Sequence, residues 1–234
     1  MPKFPVRWLV GAWAMVALLL LLSGPALAVP ITLINPSFED VSGELGGWSS
    51  STTDQTKRGI YPAAGIYGNP NYTSPDGSKV ALVNRGGDLF QNVLVPITPG
   101  TTYILKVYVG HPGVPPDPNV WPQPTPLPFA YWVQLRSYGT VSDVLASISG
   151  SNEPPWPYGY DPGIGQFGLL TLSYTANDSY TNEYLQIVLM ATQDSFWVNY
   201  DMVTLDAVPV PPTVWLLGSG LLGLWGIRRR FNTG

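Results

Sequence analysis

The residues able to do covalent or proton-transfer chemistry are few. The 234-residue chain has no cysteine and a single histidine, His111. Disulfides, thiolate metal sites and cysteine nucleophiles are therefore excluded. A histidine-dependent triad would rest on His111 alone, which sits where a proline-rich loop begins. No Gly-x-Ser-x-Gly, His-Glu-x-x-His or Gly-x-x-x-x-Gly-Lys string occurs. Fifteen carboxylates are present, but none are marked out as a facing pair, so a glycosidase arrangement has no support in spacing. These features predict a protein that is not an enzyme. Trp121, Trp156, Tyr158 and Tyr160 are the candidate binding residues. Flat rings in long loops can cover the apolar face of a sugar while polar neighbours bind its hydroxyls.

The elements that would position these groups are strands. Tyr103, Leu105, Val107 and Val109 alternate along 102–110, as do Phe129, Tyr131, Val133 and Leu135 along 129–138, and Leu185, Ile187 and Leu189 along 183–191. Period-two alternation is the signature of a half-buried strand. Further strands are expected at 79–84, 88–93, 140–148, 166–174 and 197–205. Pro75-Asp76-Gly77, Arg85-Gly86-Gly87 and Pro99-Gly100 supply turns between them. Eight or more strands at this spacing predict an all-β, jelly-roll β-sandwich. Two long loops interrupt it, 111–128 with eight prolines and 150–165 with four.

Charge narrows the partners. Five of the eleven basic residues lie in the terminal segments, leaving six against fifteen acidic groups between them. Such a domain has no basic stripe for phosphates, so no nucleic-acid partner is expected, while hard cations suit its carboxylates.

Both ends read as targeting segments. Lys3 and Arg7 precede an apolar run. Ser23-Gly24-Pro25 then breaks it, and Ala26 and Ala28 occupy the small-residue cleavage positions. These features predict a signal peptide over 1–28, an uncleaved membrane anchor being the alternative, with the folded domain over 29–207. The tail, 208–234, opens with Pro209-Val210-Pro211, continues through the apolar segment 213–227 and ends in Arg228-Arg229-Arg230. Fifteen helical residues rise about 22 Å, short of a ~30 Å hydrocarbon core, and the arginines predict a cytoplasmic C-terminus for a single transmembrane helix.

The tail resembles the PEP-CTERM sorting signal, with Pro-Val-Pro in place of Pro-Glu-Pro. The resemblance implies export machinery and an exosortase-like processing enzyme as partners. It also implies a membrane association through the C-terminal helix, transient in the inner membrane, before transfer to the cell surface or exterior. An ordinary single-pass anchor is the alternative.

Within the domain, Ile34-Asn35-Pro36-Ser37-Phe38-Glu39 followed by Gly46-Gly47-Trp48 resembles the opening of galactose-binding-like β-sandwiches and carbohydrate-binding modules. Tyr200-Asp201-Met202-Val203-Thr204-Leu205 resembles their closing strand, and Pro75-Asp76-Gly77-Ser78 and Gln91 fit the same pattern. That resemblance implies a structural Ca²⁺ held at Glu39 and Asp201, with backbone carbonyls near Asn35 and Ser37 completing the shell; backbone hydrogen bonds to the two carboxylates are the alternative. Together the two resemblances imply an exported surface or matrix protein with an interaction or glycan-associated role in biofilm, polysaccharide being a candidate partner. A module of defined sugar specificity and a polysaccharide-active hydrolase are the alternatives.

Overall fold

The computed structural model describes residues 27–64, 72–112, 128–151 and 160–209. The folded unit is Val29–Ala207. Among the described residues its strands are β1 (Val29–Ile31), β2 (Arg58–Pro62), β3 (Lys79–Val83), β4 (Asp88–Pro96), β5 (Thr102–His111), β6 (Ala130–Tyr138), β7 (Val144–Ser151), β8 (Gln166–Thr175), β9 (Tyr184–Ala191) and β10 (Val198–Val208).

The strands form two sheets. One runs β2-β3-β10-β5-β8, with β1 added against β10; the other runs β4-β9-β6-β7. The paired ladders are antiparallel. Alternation along each strand sends one apolar row into a shared core, which makes the molecule a β-sandwich. β5 contributes Tyr103, Leu105, Val107 and Val109; β6 contributes Tyr131, Val133 and Leu135; β9 contributes Leu185, Ile187 and Leu189. These are the rows expected from periodicity.

Several strand boundaries differ from expectation, β4 and β10 each running three residues further at their C-terminal ends. β1 and β2 are too short and too exposed at their ends to show alternation. β7 begins at Val144 rather than near 140, because Gly139 takes φ 155° and the Glu183 carboxylate accepts the Thr140 N–H and hydroxyl. β5 runs one residue further than expected. Its ladder with β8 continues to the His111–Gln166 pair, so His111 ends a strand and does not open a loop.

In β10 the alternation changes phase. Val198 and Tyr200 face the core, and so do Val203 and Leu205. The reset falls at Met202, whose backbone is left-handed at φ 48° and whose N–H is taken by the Asp201 carboxylate at 2.7 Å. An extra residue in one strand produces this kind of local reset.

Among the described residues no helix is long and apolar enough to cross a membrane. The expected helix 213–227, the arginines 228–230, Val210, Pro211 and the cleavage residue Ala26 lie outside the described residues, while Ala28 and Pro209 sit at the edges of the described unit.

Tyr200 ties the two sheets together. It is fully buried on β10, and its hydroxyl donates across the core to the Met190 carbonyl on β9 at 2.7 Å. Replacing it with phenylalanine keeps the ring and deletes that bond. We expect Tyr200→Phe to destabilise the domain by about 1 kcal/mol in denaturant unfolding, with an unchanged m-value.

Candidate functional site

The end of the sandwich where β5 finishes carries the polar groups that the apolar core does not explain. His111 follows Val109 on the inward row and is 4% exposed. Its ring stacks on Phe129, with centroids 4.2 Å apart and planes within 7°. Its Nδ1 lies 3.0 Å from Asp161 Oδ1. A carboxylate oxygen accepts, so Nδ1 carries the proton and Nε2 is left as the basic nitrogen. Burial pulls the imidazole below its usual range, and the Asp161 bond and charge partly offset that. His111 is therefore mostly neutral at pH 7.

Asp161 is placed by a short hook, residues 160–165. The Gly163 N–H donates to Asp161 Oδ1 at 2.9 Å, and the Gly165 N–H donates to the His111 carbonyl at 2.7 Å. Tyr131 on β6 donates its hydroxyl to the Tyr160 carbonyl at 2.6 Å. Desolvation first, then Asp161 and Tyr160, push the Tyr131 phenol well above its usual range, so it stays protonated. The result is an imidazole–carboxylate pair walled by Phe129, Tyr131 and Tyr160. It can take up a proton at Nε2 and return it, while Asp161 stabilises the imidazolium.

A second buried polar pair lies on the other face of the same sheet. Asn199 Nδ2 donates to the Tyr72 hydroxyl at 3.0 Å, and Tyr72 stacks on Phe167 at 5.0 Å. Both rings cover Gly110, where a side chain would collide with them.

Of the residues expected to bind ligand, Trp121, Trp156 and Tyr158 lie outside the described residues. Tyr160 is described, and its ring packs where a Gly168 side chain would be. It is 49% exposed, and its carbonyl accepts from Tyr131 directly before Asp161 in the chain.

Glu39 and Asp201 do meet, around one turn. Glu39 accepts the Ser78 N–H at 2.7 Å and the Lys79 N–H at 2.6 Å, while Asp201 accepts the Asp76 N–H at 3.0 Å. Burial would raise Glu39, but these N–H donors and Lys79 hold it below its usual range. Asp201 is fully buried, and burial followed by the like charges of Asp76 and Glu39 pushes it up to about 7. The Asn35 carbonyl expected to help is already bonded to Phe38 N and Trp48 Nε1. Among the described residues no three acidic or histidine side chains converge as a metal set. The two carboxylates nevertheless supply hard oxygen donors, which suit a divalent cation in chemistry, with Lys79 already 3.7 Å from Glu39 Oε2.

His111 and Asp161 were missed as a pair because they are 50 residues apart in sequence. The usable signal was the β5 alternation, which runs Val107, Val109 and on to His111.

Comparison with known proteins overturns several expectations. A family model described as HpiC1 cyclase matches residues 29–206. A crystal structure of a cyclase from Fischerella sp. TAU shares 23% identity, with a TM-score of 0.61 over 79% of this chain and 99% of that one. A Stig cyclase, Fisc, from the same organism was solved with (3Z)-3-(1-methyl-2-pyrrolidinylidene)-3H-indole; it shares 23% identity at TM-score 0.60, over 79% and 100% of the chains. A Fischerella sp. TAU cyclase solved with 4-(1H-indol-3-yl)butan-2-one shares 24% identity at TM-score 0.58, over 78% and 99%. These likenesses establish the sandwich fold. No curated protein matches. The family match displaces the PEP-CTERM and carbohydrate-binding assignments, the matrix or biofilm role and the two sugar-directed alternatives, and it overturns the expectation that the chain is not an enzyme. With 29–206 matched, most of its length, the chain belongs to the HpiC1-like cyclase family.

Proposed function

We propose that this chain is an enzyme that closes a ring in an aromatic, indole-type small molecule by proton transfer. The observation that carries the reading is the buried His111 bonded to the half-buried Asp161 at an aromatic-lined end of the sandwich. Ring closure between a nucleophilic double bond and an electrophilic carbon needs a proton supplied and a proton removed, with no net oxidation. One imidazole held by a carboxylate suffices for such traffic. The faces of Phe129 and Tyr131 carry negative potential, which suits a cation developing during closure. The indole ligands of the Fischerella cyclases supply the substrate class. The sandwich itself we take as a jelly roll, since β4, β5, β6 and then β8, β9, β10 alternate between the two sheets.

The test is turnover of indole-bearing olefins by the purified chain, with 4-(1H-indol-3-yl)butan-2-one as binding probe. His111→Ala should lower kcat by about 10²–10⁴-fold, the usual range for a positioned acid–base group, while the probe still binds. Wild-type turnover in that variant would sink the assignment. Because His111 titrates below its usual range, kcat should rise through that lowered value as the imidazole loses its proton and be flat from pH 7 to 8.

We propose further that Glu39 and Asp201 hold a structural Ca²⁺, supported by the raised Asp201 carboxyl. A folded-state value near 7, above the unfolded ~3.9, stabilises the fold below pH 4 and is lost as pH rises through 7. Without calcium, stability should fall by on the order of 3–4 kcal/mol between pH 4 and 8 from this group. Millimolar Ca²⁺ should raise Tm at pH 8, and Asp201→Asn should abolish both effects. Chelation that leaves Tm unchanged at pH 8 would remove the metal.

Export is proposed as well. The family match starts at residue 29, directly after the small residues Ala26 and Ala28. Mass spectrometry of the mature protein should find Val29 at its N-terminus.

A further inference from the structure

The hook 160–165 is a thin support for a catalytic carboxylate. Its first residues, Tyr160 and Asp161, carry no ladder bonds to either sheet. Its later half is better held, because the Gly165 N–H reaches the His111 carbonyl and Ile164 bridges His111. Among the described residues, the Tyr160 carbonyl is held by one phenol, and the Tyr160 ring packs at Gly168. Tyr131 is fully buried on β6, and that strand is paired on both sides, to β7 at Gly150 and to β9 at Ala191. It is therefore held by ladders on both sides. Its hydroxyl donates to the Tyr160 carbonyl at 2.6 Å, one residue before Asp161.

The neighbouring strand is cut away to allow this. A side chain at Gly150 would land on the Tyr160 carbonyl and on the Tyr131 ring. A side chain at Gly168 would land on the Tyr160 ring. Glycine at both positions lets the hook descend onto Tyr131.

We infer that Tyr131 is a positioning residue for the proton-transfer pair: by holding the Tyr160 carbonyl it sets Asp161 against His111. This rests on the reading of His111–Asp161 as the reactive pair. The titratable groups that meet the imidazole's surroundings are Asp161 and Tyr160 from the hook and Tyr131 from β6, with Phe129 stacked on the ring. A phenol bond worth about 1 kcal/mol corresponds to roughly fivefold fewer correctly seated hooks once it is removed.

Since His111 is the only histidine, its ring gives one set of imidazole signals in ¹⁵N-edited NMR of the full chain. In the wild type, Nδ1 should report the protonated form. Asp161→Asn should lose that bias and lower the imidazole pKa, because the carboxylate's bond and charge hold it up. Tyr131→Phe should move both signals in the same direction by at least half as much. Its kcat profile should shift its acid limb in parallel, with KM within twofold. If Tyr131→Phe does not fold, Gly150→Ala displaces the same carbonyl and serves in its place. An imidazole that stays wild-type in these variants but responds to Asp161→Asn overturns the positioning role alone. An imidazole that ignores Asp161→Asn overturns the pair itself.

Discussion

An imidazole buried at the end of an otherwise apolar strand must find a partner, and the local structure follows from that need. The inward row of β5 is Tyr103, Leu105, Val107 and Val109, all buried, and His111 is next in the same row. A buried polar group without a hydrogen bond costs a few kcal/mol. Phe129 covers the ring face, Asp161 meets Nδ1, and the His111 carbonyl receives the Gly165 N–H. Each of these requires the chain to turn back over the strand end. Gly163 at φ 91° and Gly165 at φ 75° permit that turn, since left-handed backbone favours glycine. The site is thus the termination of a core strand, solved with polar groups in place of a plain loop.

A parallel solution operates at the other buried acid. Asp201 is fully buried where β10 changes phase, and its oxygens take the Met202 and Asp76 N–H groups. The left-handed residue at Met202 turns the strand so that Asp201 faces the 75–79 turn while Val203 and Leu205 return to the core. His111 is stabilised by an opposite charge, whereas Asp201 faces two like charges. That asymmetry separates their roles. The first places a basic nitrogen beside a carboxylate; the second crowds acidic groups around a buried carboxyl, with Lys79 paired to Glu39 at 3.7 Å.

The core was legible in the sequence because alternation is a local signal. β5, β6 and β9 follow from their apolar rows alone, and the two-sheet architecture follows from their number and the turns between them. Short edge strands such as β1 and β2 carry too few residues to alternate, so they were not visible. Glu39 and Asp201 were reached only through a family resemblance, and they do share one turn. His111 was misplaced because Pro112 follows it. Proline cannot donate to a ladder and reads as the start of a loop, yet nothing prevents the residue before it from ending a strand.

The His111–Asp161 pair was illegible for a different reason, and that reason bears on the proposed function. Motif searches succeed when chemistry demands several groups on one short segment, as a phosphate cradle or a zinc-binding helix does. Proton-driven ring closure makes no such demand. The proposed reaction needs one basic nitrogen, one carboxylate to orient it and aromatic neighbours, and such groups come together from β5, the 160–165 hook and β6. Such a site leaves no string, only residues dispersed across three segments and brought together by strand register. The motifs near Glu39 and Asp201 were conspicuous because they shape a turn shared by a fold, and a shared fold does not determine chemistry. A resemblance resting on those motifs could therefore point to sugar-binding sandwiches, while the proposed pair is specified by where β5 stops.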